Sequence, residues 1–143
     1  MDERSDKEIE QLIQYCVGFA DEALSKYGEF YPFAAYVGPV GELVPIGIHS
    51  GNEFPDSNDL IGEFETLFEQ RRTQGEIVAY AIAIDVRISN SQFPESTDAI
   101  TIKTYHMQRQ QQISYYFPYQ RNDKSVQILE GWGEVAWDYG PCR

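Results

Sequence analysis

Two cysteines and two histidines are all that this 143-residue chain offers for soft metal ligation or thiol chemistry. Cys16 sits on an apolar helical stripe and Cys142 is next to the last residue, so neither metal spacing nor a disulfide framework results. His49 and Glu53 stand four apart, but Gly51 and Pro55 mark that stretch as loop, where helical ligand spacing has no meaning. No metal and no cofactor are expected. Basic residues are scarce as well, with 11 Lys and Arg against 23 Asp and Glu and a net charge of −12. That excess disfavours nucleic acid phosphates and anionic membrane surfaces as partners. No apolar run approaches the ~20 residues of a membrane span. The acidic opening Met1-Asp2-Glu3-Arg4 lacks the blocks of a secretory signal, so a cytoplasmic location is expected. A nucleophile elbow, a Ser-x-x-Lys pair and a phosphate loop are all missing. Gly38-Pro39-Val40-Gly41 has no lysine, and Gly131-Trp132-Gly133 runs into Glu134, which opposes phosphate.

What is present suits a core. Hydrophobic residues make 42% of the chain and aromatics 14%, which fits one folded domain over residues 1–143. Ser5-Asp6-Lys7-Glu8 reads as a capping box. Ile9, Leu12, Ile13, Cys16, Val17, Ala20, Ala23 and Leu24 then form one helical stripe that stops at Gly28. Two apolar runs on either side of Gly38–Gly41 predict a hairpin, and Pro32 and Pro45 push it toward a sheet edge. Asp56-Ser57-Asn58 offers N-caps for a helix over roughly 58–74, buried along Leu60, Ile61, Phe64, Leu67 and Phe68. Ile77 to Ile88 reads as the central strand. Ala79, Ala81 and Ala83 on one of its faces leave room for a close helix. Strands over 99–107 and 113–119 follow, with a polar hairpin loop at 108–112, and a last strand around 126–129 resumes at Val135 after the glycine interruption. This order, α-β-β-α-β-β-β(-β), predicts an α+β domain. Its antiparallel sheet has about five or six strands, with two helices packed on one face.

Three groups carry candidate chemistry. His106, at a strand end, reads as a hydrogen-bonded structural histidine in preference to a general base. The second helix is acidic: Asp59 with Glu63, and Glu65 with Glu69, are like-charged i,i+4 pairs, and Glu53 and Asp56 lie upstream. Solvated faces and helix dipoles account for part of this, and the remainder is a negative patch suited to a basic protein. Among the aromatics, Tyr116 and Tyr105 share strand parity with Ser114 and Lys103 and are the exposed candidates for an interface. The candidate partner-binding residues are therefore Glu53, Asp56, Asp59, Glu63, Glu69 and Tyr116, and a homodimer is also compatible with the pattern.

The segment Lys26-Tyr27-Gly28-Glu29-Phe30-Tyr31-Pro32-Phe33-Ala34, with the later Tyr116-Phe117-Pro118-Tyr119, resembles segments of small bacterial single-domain proteins of unknown function. Some acidic proteins of this size are immunity proteins that plug a toxin. The resemblance brings no catalytic residue with it. Two function classes follow. The first is a non-enzymatic acidic module that binds a basic partner, an immunity-type inhibitor. The alternative is a small enzyme or ligand-binding domain with a pocket between sheet and helices.

Overall fold

The computed structural model describes residues 3–46, 56–123 and 125–135. Helix α1 spans Glu3–Tyr27, strand β1 Phe33–Val37, strand β2 Leu43–Ile46 and helix α2 Ser57–Thr73. The strands β3 (Ala79–Ile88), β4 (Thr97–His106), β5 (Gln111–Arg121), β6 (Val126–Ile128) and β7 (Trp132–Val135) complete the fold. The class and the element order are those the sequence predicts. Among the described residues the sheet is antiparallel throughout, in the order β2-β1-β3-β4-β5-β6, and β7 also pairs with β5. It therefore has seven strands where about five or six are expected. The extra strand is β7, which includes Gly133 instead of being interrupted by it.

The helices do not share one face. Ala35, Val37, Ala79, Ala81, Ala83, Ile100 and Ile102 form one core with Leu12, Cys16, Ala20 and Leu24 of α1. The opposite parity, Ala34 and Ile82, forms a second core with Leu60, Phe64 and Phe68 of α2. The reason lies in β3. Its alanines accept a helix closely, and its Tyr80, Ile82 and Ile84 are too apolar to leave to water. Each helix takes one side.

Local signals explain the ends. Asp56 caps α2, its carboxylate accepting from the backbone N–H groups of Asn58 (2.8 Å) and Asp59 (3.2 Å). Gly28 stops α1 in the left-handed region at φ +77, which costs glycine nothing. The capping box is not formed, because α1 already runs from Glu3 and places Ser5 and Glu8 inside the helix, both buried. Pro45 lies on the edge strand β2. Gly38 N–H donates to the Glu42 carbonyl at 2.9 Å, and the antiparallel alternation then points the nitrogen of Pro45 away from β1.

Candidate interaction surface

Ser5 and Glu8 turn inward onto the β4–β5 turn. His106 is 3% exposed, and its Nε2 lies 2.8 Å from Glu8 Oε1. Its Nδ1 accepts from the backbone N–H of Gln108 at 3.2 Å, which assigns the proton to Nε2, donating to the carboxylate. Glu8 also accepts from Arg4 (3.3 Å), and Arg109 donates to the buried Ser5 hydroxyl (2.8 Å) and to Asp6. Both imidazole nitrogens are thus committed, and the pair is sealed. The nearby depression of about 260 Å³ is lined by Asp6, Glu10, Gln14, Arg109 and Tyr115 but not by His106. This arrangement ties the first turns of α1 to the far end of the sheet. It leaves no lone pair for a general base.

A second polar knot lies at the other end of the same face. The buried Tyr119 hydroxyl donates to Asp85 Oδ1 at 2.8 Å, and Arg121 bridges Asp98 and the Gly28 carbonyl. Asp85 stands just beyond the alanines on the same face of β3 and is half-buried by this network. Burial raises its carboxyl above the ordinary range, against the lowering effect of the tyrosine hydrogen bond.

The face carrying α2 is different in kind. Pairing sets its side chains in rows across the strands. One row runs Tyr36, Tyr80, Tyr105, Gln112; the next Ala34, Ile82, Lys103, Ser114, Glu134; the third Ile84, Thr101, Tyr116, Trp132. From α2 a ladder of rings crosses to β4: Phe68 stacks on Tyr80 at 4.5 Å and Tyr80 on Tyr105 at 5.8 Å. The phenol of Tyr80 is pushed up to about 12, by burial first and then by Glu65 and Glu69. Farther along, Tyr116 stacks on Trp132 (5.8 Å, 25°), and the indole Nε1–H donates to Glu134 at 2.9 Å. Burial and then the Glu134 charge raise the phenol of Tyr116. Thr101, in the row of Tyr116, is 6% exposed, and its hydroxyl has no hydrogen-bond partner among the described residues.

The candidate residues fall into place as follows. Asp59, Glu63 and Glu69 are exposed on α2, and Asp56 is its cap. Glu53, like His49, lies outside the described residues. Tyr116 sits on the same side of the sheet as α2, and it and Tyr105, expected to be exposed, are half-buried. The acids are not all left unneutralised: Glu65 meets Lys103 at 3.0 Å, and Glu69 pairs with Arg72, which lowers its carboxyl. Sequence reasoning notes Trp132 among the aromatic clusters and Glu134 as an acid beside a tyrosine, but it does not place them on a strand next to Tyr116, because the glycines beside Trp132 read as a strand break. The usable signal was parity. At Gly131 an added Cβ would come within 2.5 Å of the Tyr116 carbonyl oxygen, so a glycine there lets β7 reach β5. Compared with family models, curated proteins and solved structures, the chain matches none.

Proposed function

We propose that the chain is a non-enzymatic, acidic protein-binding module, of the immunity type, that docks a basic partner on the α2 side of its sheet. One observation carries this reading: the acids of α2 and the aromatic face of β4, β5 and β7 lie side by side, joined by the Lys103–Glu65 ion pair. Rigid rings beside fixed carboxylates combine two features of protein interfaces, an aromatic anchor and a steering charge. The enzyme alternative needs an available base in a cavity, and the sealed His106–Glu8 pair does not supply one.

The test starts from a basic protein captured from the source cells and then purified. Its association rate should fall steeply as salt rises past physiological strength, where the screening length is about 8 Å. Glu63→Lys with Glu69→Lys should slow association, while the fold loses only the small contribution of the exposed Glu69–Arg72 pair. A rate that ignores both salt and these substitutions would reduce the α2 face to a solvated surface.

A further inference from the structure

Glu134 has no cation beside it among the described residues, although it stands on the wall of an aromatic platform. Its carboxylate is held by the Trp132 indole, and Trp132 lies flat against Tyr116. Lys103, in the row of Glu134 but two strands away, is taken by Glu65. In the row of Tyr116, the buried Thr101 hydroxyl also lacks a partner among the described residues. An exposed carboxylate with no cation, a pair of stacked, half-buried rings and one buried hydroxyl without a partner among the described residues thus fall in one small area.

We propose that Tyr116, Trp132 and Glu134 form a receptor for an arginine side chain of the partner. This deepens the acidic-module reading and rests on it for the source of the arginine. A planar guanidinium stacks on a flat ring and pairs with a carboxylate in the same plane. The ring planes here are inclined by only 25° and stacked on each other. They give a platform and not the box of steeply angled rings that encloses a quaternary ammonium. Lysine would gain the charge contact but lose the stacking, so the site prefers arginine. Glu134 is already fixed by the indole N–H, so little side-chain freedom is lost on binding.

The probe is acetyl-Gly-Arg-Gly-amide, titrated into the whole ¹⁵N-labelled chain and followed at the Trp132 indole N–H, which is assigned with Trp132→Phe. Saturable movement of that signal is expected, with binding weaker by about three- to tenfold for the lysine tripeptide. Glu134→Gln keeps an acceptor for the indole, so it should fold normally and weaken the arginine peptide several-fold. An unmoved indole signal overturns the proposal. So does equal binding by lysine or tetramethylammonium, or an unchanged affinity in Glu134→Gln. A basic protein whose salt-sensitive binding ignores Glu134→Gln overturns the arginine receptor and leaves the acidic module standing. Saturation by the arginine peptide with no basic protein bound supports the receptor and removes the module reading.

Discussion

Asp85 shows how one half-buried carboxylate contributes to the acid behaviour of the fold. Its folded-state pKa is raised, chiefly by burial, with Asp98 and Glu29 adding to the effect and Arg121 opposing it. A carboxyl with a raised folded value holds its proton more tightly in the native state than in the unfolded chain. Its contribution therefore favours folding at acid pH and is lost as pH rises through that raised value. Asp85→Asn keeps an oxygen for the Tyr119 hydroxyl and removes the buried charge. It should melt higher than the parent at pH 7, with the gap closing as the pH is lowered toward the ordinary aspartate range; a gap that widens in acid would contradict this. Tyr119→Phe removes the donor and leaves the carboxylate half-buried and less satisfied. It should cost about 1.5–3 kcal/mol in urea titrations at pH 7.

At the scale of the element, β3 is sandwiched, and its two faces should fail in different ways. Ala81 lies under α1 with no exposure, so Ala81→Leu should destabilise by about 1–3 kcal/mol through overpacking. Ile82, 1% exposed, fills the α2 side, and Ile82→Ala should cost about 2–5 kcal/mol by opening a cavity. Chemical denaturation checks both; a neutral Ala81→Leu would mean that α1 does not cover that strand. The strand itself was legible, because its alternation of alanines with large apolar residues is local. So were the stripe of α1 and the cap and buried line of α2. Which helix takes which face was not, since both faces of β3 are apolar enough to accept either. The capping-box reading failed for a related reason. Ser5 and Glu8 fit a local motif, but their partners Arg109 and His106 lie about a hundred residues away, beyond any local pattern. The candidate site was half legible: acids and tyrosines show in composition and parity, and their adjacency needs the sheet order.

The whole molecule carries a net charge of −12, and most ion pairs among the described residues have at least one exposed partner. Exposed pairs contribute little each, so the repulsion among unpaired acids outweighs them in the long-range field. Raising sodium chloride from about 10 mM to about 150 mM shortens the screening length from about 30 Å to about 8 Å. The melting temperature should therefore rise by a few degrees. A fall on adding salt would mean that attractive pairs dominate instead. The same field that should draw in a basic partner also keeps copies of the chain apart, a balance that shifts toward association once the charges are screened.

The nitrogen of Pro45 acquires a further meaning here. A sheet that ends in an open strand invites stacking by another chain, and screening the repulsion makes that easier. At the far end, β5 has its border divided between two short strands, of three and four residues, which offer little length to copy. At the near end β2 is four residues long, and of the two nitrogens that face away from β1, those of Leu43 and Pro45, the second carries no donor. Pro45→Thr restores that donor and a strand-favouring side chain. In high salt the variant should seed fibrillar aggregates that bind thioflavin T, while the parent stays monomeric under the same conditions. Equal lag times for the two proteins would show that the edge is guarded by something other than its proline.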